Sequence, residues 1–454
     1  MNFPWKISRV HEIRYISAPV RSIYGKIHVP GDKSISHRAV ILGSISLGVS
    51  TVHGFLDSDD CRVTIKAFES MGVSITKNQA NALIIYGVGK HGLKSPSRII
   101  DCGNSGTSMR LLTGLLSAQN FASELDGDLS LRQRPMSRIS IPLKLMGANI
   151  TTRNGMPPIK IIPTQKISGV QYAIPEASAQ VKSCLLLAGM YADSITTIIE
   201  PRLTRDHMEL LLSAFHYPLK YVDHPPTRKL IIKSSAECSA TEITIPGDMS
   251  AAAFFIVAAT LIPGSDLLIY NVGINPGRIG MLHILKLMGA NIKLINQRFL
   301  NAEPVADIRI QSASLHGIDI PPELSPATID EFPILCIAAA CAHGHTKISG
   351  AQELCVKESD RIQAINSGLR SLGIETTMFP DGLLINGGIL RGGVVNSYHD
   401  HRIAMAFAIA GAVATDPVII QPCNMVATSF PNFAHLANSI NMNIREQYVS
   451  CNYN

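Results

Sequence analysis

The chain has 454 residues, 46% of them hydrophobic and 16% charged. That excludes a disordered protein and is too long for one ordinary core, so two or three domains are expected. Aromatics at 6% with a single tryptophan, Trp5, weigh against nucleic-acid binding through stacked rings, and a net charge of +6 fits an anion-handling protein among many others.

The N-terminus mixes charge into every turn (Lys6, Arg9, His11, Glu12, Arg14) and lacks the apolar core of a signal peptide. The longest apolar runs, at 251–263 and 334–342, are too short to span a bilayer and read as buried helices. A soluble, cytoplasmic protein is expected. The nine cysteines are scattered, with no C-x-x-C pair and no zinc spacing. They read as small buried hydrophobes in a reducing compartment.

One pattern recurs along the chain. A turn rich in Gly, Asp, Asn or Ser opens an apolar helix, a β-branched segment follows, and a second helix leads to another strand. The openings are Gly31-Asp32-Lys33-Ser34, Gly103-Asn104-Ser105-Gly106, Ala177-Ser178-Ala179-Gln180, Gly247-Asp248-Met249-Ser250, Ile329-Asp330-Glu331-Phe332 and His399-Asp400-His401-Arg402. Their spacing of roughly 70–80 residues is regular enough to count as a repeat. Gly72, Gly147, Gly289 and Gly373 read as stops of the second helix, since glycine accepts the left-handed conformation. The third and sixth copies are degenerate there, at His216-Tyr217-Pro218 and Asn441-Met442-Asn443.

Each unit therefore reads as an α/β element with parallel strand neighbours. The first helices, such as 251–257, have no polar face and are expected to be buried. Six of them in two sets of three predict two domains built alike. Each opening also places Asp, Asn or Ser where an N-cap belongs. Helix N-termini carry free N–H groups and positive partial charge, so six converging ends would form an anion-attracting cleft. Simple capping explains any single opening equally well.

In chain order, Pro30-Gly31-Asp32-Lys33-Ser34-Ile35-Ser36-His37-Arg38 offers a tight turn, N–H groups for a phosphate, and the cations Lys33 and Arg38. Asp101 to Arg110 sets two glycines around Asn104-Ser105, where backbone can approach a ligand closely. In Gly127 to Met136, Arg132 and Arg134 precede Pro135, which reads as a helix start. Arginine suits bidentate binding of phosphate or carboxylate, although a solvated pair fits too. Further on, Asp330-Glu331 starts a helix, and Asp400-His401-Arg402 starts the sixth apolar helix. Lys357 and Arg361 lie four apart, on one face if helical; like charges there repel unless an anion lies nearby.

Taken together and in this order, these strings resemble the 5-enolpyruvylshikimate-3-phosphate synthase family, from Val29 to about Phe433. The matching stretches are G-D-K-S-I-S-H-R, R-P-M, A-S-A-Q-V-K-S, T-R-D-H, I-D-E-F-P, V-K-E-S-D-R, D-H-R-I-A-M and T-S-F-P. The resemblance implies an inside-out α/β barrel architecture of two similar domains, each of three βαβαββ repeats with buried parallel helices. The chain would cross between domains near Pro30-Gly31 and Pro246-Gly247, giving one domain at 32–246 and another from 1–31 with 247–454.

It also implies transfer of the enolpyruvyl group of phosphoenolpyruvate to the 5-hydroxyl of shikimate 3-phosphate, by addition and elimination, with no metal or organic cofactor and as a monomer. Carried over by motif, Lys33, Ser34 and Arg38 would bind the two substrates. Ser178, Gln180 and Arg205 would hold shikimate 3-phosphate. Gly106, Arg134, Lys357, Arg361 and Arg402 would hold phosphoenolpyruvate, with Arg132 as the alternative to Arg134. Asp330, Glu358 and Lys33 would manage protons, Asp330 as the base. Facing cationic walls predict a cleft that stays open until an anion bridges it.

The strings resemble the glyphosate-tolerant bacterial branch more than the plant-like one, with Thr428 where the plant-like branch has lysine, and Leu111 where the sensitive branch has proline. Gly106, lacking a Cβ, nonetheless leaves room beside its turn, so glyphosate is expected to compete with phosphoenolpyruvate. The sister UDP-N-acetylglucosamine enolpyruvyl transferases carry a reactive cysteine or aspartate in the loop matching 127–135. This chain has no cysteine there, and Asp128 lies at the loop start. An RNA 3′-phosphate cyclase would need a nucleotide-accepting histidine, which nothing around His399 or His401 compels. A non-enzymatic anion-binding protein would not need Asp330 and Glu358.

Overall fold

The structure, a computed structural model, describes residues 11–450. Trp5, Lys6, Arg9, Cys451 and the first ten residues of the expected second domain lie outside the described residues. Twelve α-helices follow in order among those described: α1 (Lys33–Ser44), α2 (Asp59–Ser70), α3 (Gly106–Leu116), α4 (Ser137–Leu145), α5 (Ala179–Gly189), α6 (His207–Ala214), α7 (Met249–Leu261), α8 (Gly280–Leu287), α9 (Phe332–Ala340), α10 (Arg361–Ser371), α11 (His401–Val413) and α12 (Phe433–Asn438). The six openings start the odd-numbered helices. None of the helices is long and apolar enough to cross a membrane.

Five of these six starts are capped as the sequence predicts. The carboxylates of Asp32, Asp248 and Asp400 and the hydroxyls of Ser105 and Ser178 each accept a hydrogen bond from a first-turn N–H. The fifth start departs from the pattern. Glu331 stands at the N-cap of α9 without making a side-chain cap bond, and Asp330 lies one residue further out. Its carboxylate is left for other partners.

The second helices all end alike. Gly72, Gly147, Gly289 and Gly373 have positive φ, and so do His216 (56°) and Asn441 (68°) in the two copies that lack the glycine. In each case the next N–H reaches back to a carbonyl five residues earlier, as in Val73 to Phe68 (3.0 Å), Tyr217 to Leu212 (2.8 Å) and Met442 to Ala437 (3.2 Å). The degenerate copies keep the turn and lose only the residue that makes it inexpensive.

The strands pair differently from the parallel expectation. In the sheet ordered Ile100–Asp101, Ser123–Asp126, Met156–Ile162, Asn149–Arg153, the first pairing is parallel and the next two are antiparallel. Four other sheets repeat that order. The sixth keeps the antiparallel strands and reduces its parallel edge to the bridges His316↔His343 and Asp319↔Lys347. A single helix links the parallel pair in three sheets, and in two others the parallel strands are joined through the first lobe. After five of the six second helices the next two strands form a hairpin, which forces antiparallel neighbours, and after α12 the N-terminal strand His11–Ala18 takes the place of the hairpin partner.

The buried hydrophobic residues fall into two clusters. One draws on residues from Ile35 to Ile245, the other on Tyr15 to Val29 together with Met249 to Ile444. They define a first and a second lobe. Every residue of α9 is buried, and all but the last of α7, which is why these helices need no polar face. The N-terminal strand His11–Ala18 closes the last sheet of the second lobe, against Val418–Gln421 and Asn443–Ser450. Among the described residues eight cysteines are free, and six of these are buried.

The chain crosses between lobes at two adjacent points. Gly31 and Gly247 face each other in an antiparallel bridge, with Asp32 N–H donating to Pro246 (2.9 Å) and Asp248 N–H to Pro30 (2.8 Å). A Cβ on Gly31 would lie 1.9 Å from the Gly54 carbonyl oxygen, so only glycine fits this crossing.

Candidate active site

Between the lobes lies a cleft of 690 Å³. Its lining includes the starts of all six odd-numbered helices: Lys33 and Ser34, Gly106 and Thr107, Ala179 and Gln180, Asp248, Asp330, and His401 with Arg402. The convergence of helix N-termini that the repeat allows is therefore present. It aims free N–H groups and partial positive charge at one volume.

Most of the motif residues meet there. Lys33, Ser34, Arg38, Gly106, Arg134, Ser178, Gln180, Arg205, Asp330, Lys357, Glu358 and Arg402 all line the cleft. Arg361 does not. It is 1% exposed and lies beneath the surface, its guanidinium on Asp400 (2.8 Å) and Glu358 (2.6 Å). Lys357 and Arg361 are not joined by a helix turn either, because Asp360 caps α10 and Lys357 precedes the cap. They still converge: Lys357 Nζ and Arg361 Nη1 stand 3.9 and 3.8 Å from Asp330 Oδ1. The anion that reconciles these like charges is the protein's own carboxylate.

Asp330 is ringed by cations from both lobes. Arg205 Nη2 lies 2.7 Å from Oδ2, Arg278 Nη1 3.6 Å and Arg402 Nη2 4.0 Å. Burial alone would raise its carboxyl, but Arg402, Arg205, Lys357 and Arg361 outweigh it and hold the group well below the usual carboxylate range. Glu358 behaves likewise: burial raises it, and Arg134, Arg361, His401 and Lys33 together hold it well below. Lys33 donates to Asp60 (2.9 Å). Burial disfavours its charge, yet Asp60 and Glu358 together outweigh burial and Arg402, so its ammonium is held above the ordinary lysine range. Among the arginines, burial and then the charge of Arg205 lower Arg38 to about 10. Burial and Arg134 lower Arg110 to about 10. Cations crowded enough to weaken each other form a site that an anion would stabilise.

The two arginines before Pro135 are separated by the fold. Arg134 is nearly buried, faces the cleft, and bonds Asn104 Oδ1 (3.1 Å) and Glu358 Oε1 (3.2 Å). Arg132 is half exposed on the outer side and pairs with Asp126 (2.6 Å). Pro135 lies before Met136, the N-cap of α4, not inside the helix. If the cleft takes a carboxylate or phosphate against Arg134, Arg134→Ala raises the Michaelis constant of that ligand by at least about tenfold, the value of a charged hydrogen bond. Arg132→Ala leaves it within about twofold. Steady-state kinetics of the two variants side by side checks this.

The walls are not both cationic, so they meet rather than repel. Arg205 and Arg134 of the first lobe pair with Asp330 and Glu358 of the second, and Arg138 pairs with Glu353 (2.6 Å). The expectation of a cleft held open by facing cations overlooked these carboxylates. Sequence reading also missed Asp60, Arg110, Arg138, Asp248 and Arg278, which stand in the cleft. Asp248 was counted only as a cap, Arg110 only as the end of its glycine-flanked string, and Asp60, Arg138 and Arg278 lie outside the strings weighed for chemistry. Arg278 was findable only as a buried arginine bonded to Asp248 (2.6 Å) and Asp32 (3.5 Å) at the crossing.

The family model of EPSP synthase (3-phosphoshikimate 1-carboxyvinyltransferase) matches residues 18–436. The chain belongs to the EPSP synthase family. A 3-phosphoshikimate 1-carboxyvinyltransferase of Legionella pneumophila is 57% identical over 96% of this chain and 99% of its own length. One from Coxiella burnetii is 51% identical over 95% and 98%. The solved EPSP synthase of Acinetobacter baumannii superposes with a TM-score of 0.85 at 46% identity, covering 96% of this chain and all of its own. The enolpyruvyl transferase NikO from Streptomyces tendae, 14% identical with a TM-score of 0.78, shares the fold. Within the EPSP synthase family, then, this chain brings two partly buried carboxylates and cations from both lobes to the start of six helices. Cys102 is buried, which pushes its thiol up and makes it unfit as a nucleophile.

Proposed function

We propose that the chain transfers the enolpyruvyl group of phosphoenolpyruvate to the 5-hydroxyl of shikimate 3-phosphate, releasing phosphate. The observation that carries this reading is the ionised Asp330 between cations of both lobes at the meeting point of six helix starts. Such a site holds two polyanions together and keeps a base between them. The family to which the chain belongs supplies the substrates.

Ser34, Ser178, Gln180, Arg38 and Arg205 hold shikimate 3-phosphate. Gly106, Arg134, Lys357 and Arg402 hold phosphoenolpyruvate, with Arg361 supporting Glu358 and Asp330 from below. Asp330 takes the 5-hydroxyl proton as the oxygen bonds the central carbon of phosphoenolpyruvate. Lys33, held as ammonium, gives its proton to the methylene carbon, completing the tetrahedral adduct. Glu358, an ionised carboxylate, then accepts a proton from the new methyl group while the carbon–oxygen bond to phosphate breaks. The proton on Asp330 leaves with phosphate, and Glu358 returns its own to Lys33. We also read the two lobes as domains of three repeats each, inside-out α/β barrels bounded at 32–246 and at 1–31 with 247–454. The two hydrophobic clusters and the paired crossings at Gly31 and Gly247 support that division.

The test is a reaction in heavy water with both substrates. Addition and elimination put solvent deuterium into the methylene group of the enol ether product, read by mass spectrometry. An unlabelled product, or none, overturns this mechanism.

Gly106 allows a sharper test of the phosphoenolpyruvate wall. A Cβ there would lie 3.0 Å from Arg134 Nη1, so the space beside the turn is already bounded by the guanidinium. Gly106→Ala therefore displaces Arg134 and weakens both phosphoenolpyruvate and the longer glyphosate. The inhibition constant of glyphosate is expected to rise by the larger factor. Equal factors would mean that this wall does not discriminate the two.

A further inference from the structure

The loop that carries Arg205 is held from the opposite lobe. In the run Thr204-Arg205-Asp206-His207, Thr204 and Arg205 line the cleft, and Arg205 bonds Ser34 Oγ (3.3 Å) and Asp330 (2.7 Å) across it. The other three residues are each tied down by a carboxylate or an amide. Thr204 donates to the buried Glu200, at the end of the strand Thr196–Glu200. Asp206 accepts from Asn275 Nδ2 (2.7 Å), and His207 Nδ1 pairs with Glu303 (2.5 Å). Asn275 and Glu303 belong to the second lobe. Both are buried, and Asn275 Nδ2 also donates to Glu303 (3.2 Å).

The turn Asn275-Pro276-Gly277-Arg278 makes one more approach. A Cβ on Gly277 would stand 2.6 Å from the Arg205 nitrogen and 2.8 Å from its Cα. The turn itself is preset, because Asn275 Oδ1 accepts from Gly277 N–H (3.0 Å). Its last residue, Arg278, is fixed on Asp248 and Ser250 (2.6 and 2.9 Å). The second lobe thus presents a bare glycine where the Arg205 backbone must lie, flanked by an amide that clamps the next residue.

We propose that the Asn275–Arg278 turn is a positioning seat for Arg205: the second lobe fixes the backbone of an arginine carried by the first, and so sets how Arg205 meets shikimate 3-phosphate. Neither Asn275 nor Gly277 lines the cleft, so both act through Arg205. The inference rests on the assignment of Arg205 to shikimate 3-phosphate above.

Calorimetric binding of shikimate 3-phosphate to the full chain tests it as a double-mutant cycle. Gly277→Ala is expected to weaken binding by roughly 10- to 100-fold, since a displacement of about 1 Å at a positioned group costs that order. In an Arg205→Ala background the same substitution changes affinity by less than about twofold. Asn275→Ala, which adds no atoms, shows the same dependence on Arg205 and serves if Gly277→Ala does not fold. Unchanged affinity, or an equal loss in both backgrounds, overturns the seat alone. A wild-type chain that binds no shikimate 3-phosphate overturns the seat and the functional reading together.

Discussion

Asp330→Asn lowers turnover by about 10²–10⁴, with much smaller changes in substrate affinity, because the amide keeps the shape and loses the base. The surroundings of Asp330 make the expectation specific. Its carboxyl is held well below the usual range because Arg402, Arg205, Lys357 and Arg361 outweigh the effect of burial. Such a group is ionised at every working pH, as a base must be, but it holds a proton weakly. Two multiply charged substrates entering the cleft neutralise those same cations, and the proton affinity of Asp330 rises as they do. The substrates thereby activate the base that acts on them. Asparagine carries no charge for the cations to share, so affinity for anions is preserved or slightly improved while turnover falls. Intact turnover in Asp330→Asn, measured by phosphate release, contradicts the assignment.

Lys182→Met destabilises the folded chain by about 3–5 kcal/mol, the cost of leaving buried charge without its partner. Lys182 is fully buried on α5, between Glu200 (3.0 Å) and Glu209 (2.7 Å), which are themselves 0% and 3% exposed. Burial already raises the Glu200 carboxyl, and Lys182 is the first cause opposing that rise. Arg228, 3.8 Å from Glu209, remains to compensate one carboxylate only. At about 2–4 °C per kcal/mol for a body of this size, the melting temperature of the variant falls by about 6–20 °C. Adding Glu200→Gln and Glu209→Gln recovers much of the loss, since no buried charge is then unpaired. A single variant that melts like the wild type would show that the three groups are not charged together.

Much of the fold was legible because capping and stopping residues mark the repeat at fixed positions. Asp32, Ser105, Ser178, Asp248 and Asp400 open helices for a local reason that a sequence displays. What was less legible follows from tertiary context. His216 and Asn441 take the left-handed turn without glycine, so the third and sixth stops looked lost. Hairpin pairing after five of the second helices, and the N-terminal strand after the sixth, turned parallel neighbours into mixed sheets. The four-residue spacing of Lys357 and Arg361 invited a helix that Asp360 begins only afterwards. In the site, the motif residues came together because each sits at a helix start or beside one. Arg278 (through Asp32), Arg138 and Asp60 act through contacts with the other lobe or with Lys33, which no local spacing encodes. The same blindness produced the expectation of an open cleft, since Arg205–Asp330 and Arg134–Glu358 join residues far apart in the chain.

The most direct measurement is a coupled assay of phosphate release from phosphoenolpyruvate by the purified chain. Shikimate 3-phosphate is offered as the acceptor, and UDP-N-acetylglucosamine in a parallel reaction. Release that depends on shikimate 3-phosphate and is absent with the sugar nucleotide is the predicted result. Release with UDP-N-acetylglucosamine, or with neither acceptor, contradicts the account.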